Sequence, residues 1–267
     1  MTSQTRTPPR FWHDSALPFV ESRSAASSRA CYRPHTHTTL SIGVVDAGRS
    51  VFTCAGHSVP LAHGALVAVP AGCVHACNPA PGERWSYQML YLDAAWVAET
   101  LAKAGVAAVP GHAFVVRHAP AYQAFCDLNQ RLFSRAPAAD KKAALSHFLT
   151  GSAWRHSAAA LAQTGAQPPL ARVLALLQAR YADALPLPLL AQVAGMTPHA
   201  LVRAFRAATG LTPHAYQLDL RINAARTLLR AGDAPAAVAQ DLGFYDQSHF
   251  HNAFKQRVAA TPGDYLR

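Results

Sequence analysis

The pattern of hydrophobic and polar positions divides the chain into two parts. As far as about residue 92, short apolar and β-branched segments alternate with Gly and Pro turns, as in "TTLSIGVVD", "SVFTCAG", "ALVAVP" and "WSYQMLYLD". Such segments favour β-strands, and turns at intervals of about ten residues favour a small sandwich or barrel. From Ala94 the segments become Ala- and Leu-rich, in "AAWVAETLAKAG", "AYQAFCDLNQRLF" and "KKAALSHFLTGSAW". These three segments predict helices.

The second part has apolar positions at helical spacing throughout. Its first apolar stripe consists of Leu170, Val173, Leu174, Leu177 and Tyr181. Steps of three and four residues place such side chains on one face of a helix. We therefore predict an α+β chain with two domains. Residues 1–165 form a β-barrel followed by helices, and residues 166–267 form an all-α domain.

Two segments of the second part repeat one another. "LPLLAQVAGMTPHALVRAFRAATGLTPHAY" begins at Leu187, and "APAAVAQDLGFYDQSHFHNAFKQRVAATPGDY" begins at Ala234. Ala191 and Ala239 correspond at a separation of 48 residues, and Leu201 and Phe250 correspond at a separation of 49. One residue has therefore been added in the turn of the second copy. A register that is kept on both sides of a single insertion indicates a true repeat.

Each copy has the layout of a helix-turn-helix. In the first copy, small residues at Ala191 and Ala194 allow a second helix to cross closely, Gly195 supplies the turn, and Thr197 is an N-cap residue. The corresponding residues of the second copy are Ala239, Leu242, Gly243 and Asp246. Between the copies, "YQLDLRINAARTLLRAG" predicts one longer helix.

The outward faces of the two repeats are suited to DNA. With Leu201 and Phe205 turned inward, the predicted outward residues are His199, Val202, Arg203 and Arg206 in the first copy, and Gln247, Ser248, His251, Asn252 and Lys255 in the second. Gln, Asn and Arg read base edges, and Lys and Arg also bind phosphates. The alternative is an all-helical bundle whose repeat is only structural.

Composition and charge agree with a DNA partner. The net charge is +10, and both parts are basic, with 14 basic and 8 acidic residues before residue 168 and 10 and 6 after it. A positive balance suits a polyanion such as DNA. We find no apolar run of about 18 residues and no signal peptide. The expected location is therefore the cytoplasm. The five cysteines form no C-x-x-C pair, which favours free thiols.

The segment "DLGFYDQSHFHNAFKQRVAATPGDYLR" closely resembles the C-terminal signature of AraC/XylS-type bacterial transcription regulators. The similarity covers about residues 168 to 267. It implies two helix-turn-helix units that are joined by one long helix and enter successive major grooves. It also implies a regulator, usually an activator, that touches RNA polymerase. By position in this motif, base contacts fall to His199, Val202 and Arg203, and to Gln247, Ser248, His251 and Asn252.

The first part resembles the cupin-like sensor domain that is common in this family. Metal-binding cupins carry G-x5-H-x-H-x3-E-x6-G followed by G-x5-P-x-G-x2-H-x3-N. His35, His37 and His75 fit three ligand positions, but Ser41 stands at the fourth, where the Glu is expected. Arg29 also replaces the opening Gly. Three histidines without the carboxylate leave the nature of the site open.

Three interpretations of these histidines follow. With Cys77 as a fourth ligand, they make a tetrahedral site for zinc or another divalent transition metal. Without a metal, they line a pocket for a small organic effector, or they are structural. Alternating Cys73, His75 and Cys77 also suit a metal or thiol-redox sensor.

The function predicted is a ligand- or metal-responsive DNA-binding regulator, and not an enzyme. The rival is a cupin enzyme fused to a DNA-binding domain, but the absent Glu counts against it. The helices after residue 94, especially "AYQAFCDLNQRLF", are the expected homodimer surface, as in the family.

Overall fold

A computed structural model describes residues 9–54, 56–154, 159–161 and 168–266, with only the backbone for 159–161 and 168. The chain forms two compact units. The first contains most of the chain before residue 162, and the second contains the C-terminal helices together with the short segments Cys31–Thr36 and Val74–Ala76. The predicted boundary between residues 165 and 166 lies outside the described residues. A β-rich part followed by a helical part confirms the predicted fold class.

The first part of the chain is built on a large antiparallel sheet and a smaller sheet. Its strands are β1 (Arg10–His13), β2 (Val20–Ser28), β3 (Thr39–Gly48), β4 (Ser50–Cys54), β5 (His57–Leu61), β6 (Leu66–Val69), β7 (His75–Pro79), β8 (Trp85–Asp93), β9 (Ala113–Val116) and β10 (Ala159–Leu161). The large sheet has the order β1-β2-β8-β3-β6-β9-β10, and the small sheet has the order β5-β4-β7.

Three helices follow or interrupt these strands, as the sequence predicts. They are α1 (Ala94–Lys103), α2 (Ala119–Phe133) and α3 (Ala138–Thr150). The side chain of Asp93 caps α1 by accepting a hydrogen bond of 2.8 Å from the Trp96 N–H. The apolar side of α2, which includes Phe125, packs into the core of this unit. After its first turn, its exposed residues, such as Gln123 and Asp127, are polar.

The large sheet separates two cores because successive side chains of a strand point to opposite faces. On one face, Ile42 and Leu90 pair directly and pack with Phe125 of α2. On the other face, Val45 and Tyr87 pair directly and pack with the small sheet. Both faces of the large sheet are therefore buried, which explains the nearly continuous apolar sequence of β3.

The second unit contains seven helices in its described residues. They are α4 (Pro168–Ala179), α5 (Leu187–Ala194), α6 (Pro198–Thr209), α7 (Pro213–Ala231), α8 (Pro235–Asp241), α9 (Gln247–Val258) and α10 (Pro262–Tyr265). The pairs α5–α6 and α8–α9 are the two helix-turn-helix motifs, and α7 joins them. This arrangement confirms the predicted layout. Throughout the described part of the chain, no helix has the length and apolarity that a membrane crossing requires.

The repeated residues have the same structural role in each copy. Leu201 and Phe205 of α6 are fully buried, as are Phe250 and Phe254 of α9. The N-cap side chains are also equivalent, because Thr197 accepts from the Ala200 N–H at 3.3 Å and Asp246 accepts from the His249 N–H at 2.6 Å. The apolar and capping pattern therefore specifies both motifs.

The turn glycines of the two copies differ in their surroundings. Gly195 and Gly243 both have positive φ, at 65° and 68°. A Cβ on Gly195 would meet nothing within 4 Å, whereas a Cβ on Gly243 would lie 2.1 Å from the Ala182 carbonyl oxygen. Gly243 is therefore required both by its positive φ and by the nearby Ala182 carbonyl, whereas Gly195 is required by its positive φ alone.

We predict that Gly243→Ala destabilises the protein more than the matched control Gly195→Ala. Each variant pays about 1–2 kcal/mol for a left-handed alanine. Gly243→Ala adds about 1–3 kcal/mol, because the new methyl group overlaps the Ala182 carbonyl. Chemical denaturation of the full chain measures both values. Equal losses of unfolding free energy would contradict the close approach.

Candidate functional site

Helices α6 and α9 are the second, or recognition, helices of the two motifs, and they present the predicted faces to solvent. On α6, His199, Arg203 and Arg206 are exposed and Val202 is half-buried. On α9, the exposed residues are Gln247, Ser248, Asn252 and Lys255, and His251 is half-buried. The structure thus places all nine residues at a surface and brings each set onto one helix.

The electrostatics of both helices favour an anionic partner. Neither α6 nor α9 contains an acidic residue in its helical turns, and the basic residues Arg206, Lys255 and Arg257 lie toward the C-termini. The N-terminus of a helix carries a partial positive charge, which also attracts phosphate. Each helix therefore combines hydrogen-bonding side chains with a positive field.

Tyr245 is a surface residue that the sequence reasoning missed. It lies in the turn between Phe244 and the N-cap Asp246, and it is 92% exposed. In the first copy the cap Thr197 directly follows Met196, so Tyr245 is the residue added in the second copy. The one-residue insertion in the repeat was the signal that could have identified it.

Helix α7 holds the turn of the second motif. The Arg221 guanidinium donates to the Gly243 carbonyl at 2.5 Å and to the Tyr181 carbonyl at 2.7 Å. Gln217, one turn earlier, donates to the Asp183 carbonyl at 2.7 Å. The side chains of α7 therefore satisfy carbonyl groups in the segments that flank it.

Three predicted metal ligands lie together. One ring nitrogen from each of His35, His37 and His75 falls within a group whose atoms are all within 4.8 Å of one another, and the three side chains are buried. Backbone hydrogen bonds set this arrangement. His35 N–H donates to the His75 carbonyl at 3.0 Å, and His75 N–H donates to the His35 carbonyl at 2.9 Å.

The protonation state of His35 suits metal binding. Burial, and then the neighbouring His75, lower the pKa of His35 to about 3. The ring is therefore neutral at physiological pH, which is the form that binds metals. Its Nδ1 lies 2.8 Å from the Arg33 carbonyl oxygen. A donating Nδ1–H would leave Nε2 as the ligand atom, in the way that outer-shell carbonyls orient metal-binding histidines.

The histidine group fits a divalent metal with a modest adjustment. Zinc–nitrogen bonds of about 2.1 Å place tetrahedral ligand atoms roughly 3.4 Å apart. The nitrogens of His35, His37 and His75 would therefore need to approach by at most about 1.4 Å. Among the residues that the structure describes, no carboxylate or thiol joins the group. A metal held there would keep an open coordination position.

Cys77 lies outside the histidine group. Its Sγ is 3.8 Å from the Ser50 hydroxyl oxygen, and burial raises its pKa to about 12. The side chain of Cys73 hydrogen-bonds with Cys54, and this bond raises the pKa of the Cys73 thiol. Both thiols are thus protonated at neutral pH.

Two charged residues inside the first unit were also missed. Glu21 and Arg23 are buried on β2, on the face that packs toward the small sheet. Arg23 lies over the rings of Phe11 and Tyr87, at 5.2 and 5.6 Å from their centroids. Because the sequence of this strand, "VESRSAASS", is mostly polar, the hydrophobic pattern did not predict it.

Family comparisons match both parts of the chain. A model described as an AraC-like ligand binding domain matches residues 21–152. A model described as a helix-turn-helix domain matches residues 190–267. Neither is an enzyme family, and the curated relatives are transcription regulators. This agrees with the expectation that the chain is not an enzyme.

The curated relatives match over the C-terminal part only. The chain is 35% identical over 75 residues to the HTH-type transcriptional regulator MtrA of Neisseria gonorrhoeae, which covers 28% of this chain and 25% of that protein. It is 33% identical over 93 residues to the HTH-type transcriptional activator RhaS of Escherichia coli strain SE11, covering 34% of each. The chain thus matches about a quarter to a third of these relatives.

A solved structure shares the fold over nearly the whole chain. Unsaturated fatty acid-bound wild-type ToxT from Vibrio cholerae aligns with a TM-score of 0.61 at 12% sequence identity. The alignment covers 92% of this chain and 94% of ToxT. At this identity the likeness shows the fold alone.

Proposed function

This chain belongs to the AraC family, and we propose that it is a sequence-specific DNA-binding regulator of transcription. The observation that carries the proposal is the pair of helix-turn-helix motifs whose recognition helices expose amide, imidazole and basic side chains. Those side chains match the hydrogen-bonding groups of base edges and the charge of phosphates. The regulator acts in the cytoplasm, where bacterial DNA lies.

The two motifs divide the recognition between them. On α6, Arg203 supplies two parallel donors of the kind that bind guanine. On α9, Gln247 and Asn252 supply the donor and acceptor pair that fits adenine. Lys255 lies toward the C-terminal end of α9 and serves as a phosphate contact. Tyr245 adds a hydroxyl and an aromatic ring in front of α9.

The effector proposed for the N-terminal part is a divalent transition metal, with zinc preferred. Its support is the group of three buried histidines and the neutral state of His35. When bound, such a metal supplies a Lewis-acidic centre with an open position for water or a further ligand. His35, His37 and His75 would hold it, and the Arg33 carbonyl would orient His35.

A small organic anion is the second candidate effector. The observation that favours it is Arg23, a buried guanidinium among aromatic side chains inside the first unit. Such an environment suits a carboxylate attached to an apolar group. A metal-free protein would make this candidate the leading one.

The remaining parts of the proposal follow the family. The protein acts as a homodimer and as an activator that touches RNA polymerase. The exposed face of α2, with Gln123, Asp127 and Gln130, is polar. A dimer formed through it is therefore held by hydrogen bonds more than by apolar burial.

We predict that substitutions on α9 separate base reading from phosphate binding. A duplex selected by the full chain from a random pool serves as the probe. Asn252→Ala should lose about 1–3 kcal/mol of discrimination against one base pair, whereas Lys255→Ala should weaken all sequences alike and reduce the salt slope by about 1. Fluorescence anisotropy at several salt concentrations measures both effects.

The matched control for these variants is Ser58→Ala, which removes an exposed side chain of β5 in the other unit. It should leave the affinity for the selected duplex unchanged. If Asn252→Ala behaves like this control, the assignment of α9 to base reading is wrong.

We also predict that the chain described here, purified without chelators, carries about one zinc. His75→Ala should abolish this content, since the loss of a ligand costs more than the roughly 10–100-fold that an outer-shell substitution costs. His57→Ala is the matched control, because His57 is an exposed histidine of β5. Elemental mass spectrometry measures the content. Protein that is metal-free and takes up no added cobalt(II) would contradict the prediction.

A further inference from the structure

Thr36, the residue between His35 and His37, is bound by two side chains of α7. Its backbone N–H donates to Asp219 Oδ2 at 2.7 Å, and its hydroxyl donates to the same oxygen at 2.5 Å. Asn223 Nδ2 donates to the Thr36 carbonyl at 3.0 Å. All three side chains are buried. Every polar group of Thr36 therefore has a partner on the helix that joins the two motifs.

The segments that carry His35 and His75 belong to the same unit as this helix. Cys31–Thr36 and Val74–Ala76 are both part of the second unit, and the reciprocal backbone bonds between His35 and His75 hold them together. Val74 is packed in the same core as the residues of the first helix-turn-helix motif. These two ligand positions are thus anchored among the C-terminal helices.

The contact continues from α7 to the second recognition helix. Asp219 Oδ1 lies 3.7 Å from Arg257 Nε, and both side chains are almost completely buried. Arg257 lies near the C-terminal end of α9 and also donates to the Ala215 carbonyl of α7 at 3.5 Å. A buried charge that loses its partner is costly, so Asp219 and Arg257 constrain one another.

The alternation of side chains along the segment relates the histidines to the contact between Thr36 and α7. In an extended segment, His35 and His37 point to one side and Thr36 points to the other. A metal held by His35 and His75, which both lie in the second unit, would fix the backbone at His35, next to Thr36. The N–H, the carbonyl and the hydroxyl of Thr36 would then be held in the positions that Asp219 and Asn223 recognise.

From this geometry we infer that metal binding at the histidines raises DNA affinity through the contacts from Thr36 to Asp219 and from Asp219 to Arg257. The metal favours the conformation in which Thr36 is hydrogen-bonded to Asp219 and Asn223. In that conformation Asp219 holds Arg257, and α9 is already in the position that DNA binding requires. The inference rests on the proposed function, since it needs both a metal and a DNA partner. Because coupling is reciprocal, DNA should tighten metal binding by the same factor.

The test compares DNA affinity with and without zinc for the full chain and for Thr36→Val, using the selected duplex. The valine keeps the side-chain shape and removes the hydroxyl donor. For the wild-type chain, zinc should raise DNA affinity by about 5–150-fold, the usual range of coupling between sites. In Thr36→Val this factor should fall toward 1, while cobalt(II) still binds with its visible absorption.

A second variant and a control keep the test decisive. Asn223→Ala removes the donor to the Thr36 carbonyl and should also reduce the zinc effect, even if Thr36→Val fails to fold. Thr100→Val on α1 is the matched control, since it makes the same substitution in the other unit. It should keep the full zinc effect.

Three results would overturn the inference, and they are distinguishable. A full zinc effect in both Thr36→Val and Asn223→Ala would reject the pathway but leave metal control of DNA binding in place. Metal binding without any change in wild-type DNA affinity would reject the coupling. A wild-type chain that binds DNA but no metal would reject the metal effector itself, and the coupling would fall with it.

Discussion

The C-terminal unit depends on the burial of polar side chains along α7, the helix that joins the two motifs. Four polar residues within seven positions of this helix bind three neighbouring segments. Gln217 and Arg221 bind carbonyl groups of residues 181–183, and Arg221 also binds the Gly243 carbonyl. Asp219 and Asn223 bind Thr36. A buried polar group without a partner costs about 1–3 kcal/mol, so these neighbours must stay in register with the helix. An apolar helix could tolerate sliding, but this one specifies the positions of the segments around it.

Charged side chains of the C-terminal unit are exposed on the recognition helices α6 and α9, but they are buried around Thr36. At the recognition helices, positive charge is exposed, where it attracts a polyanion and is screened by salt. Around Thr36, charge is buried. Burial raises the pKa of Asp219 to about 6, although the Thr36 hydrogen bonds and Arg257 oppose this shift. The same unit thus uses charge for binding at its surface and for positioning in its interior.

The sequence predicts those features that depend on local pattern, and it fails where distant segments meet. The repeat specified Gly195, Gly243 and the buried Phe205 and Phe254, because apolar spacing and turn chemistry are read over a few residues. Strand β2 was missed, because its buried Glu21 and Arg23 give it a polar sequence. Cys77 was grouped with the histidines by alternation alone, and the structure places it beside Ser50. The contact between Thr36 and Asp219 spans 183 residues, so no local pattern could indicate it.

The single residue added in the second motif has a consequence for the geometry of any DNA site. Tyr245 stands in front of α9, and α6 has no counterpart, so the two motifs are unequal copies within one chain. A pair of identical motifs related by a two-fold axis reads a palindrome. Unequal motifs that follow one another along a chain read a sequence with a direction. One subunit bound to such a site therefore has a defined upstream end and downstream end, and inverting the site would turn the bound subunit around relative to the neighbouring promoter.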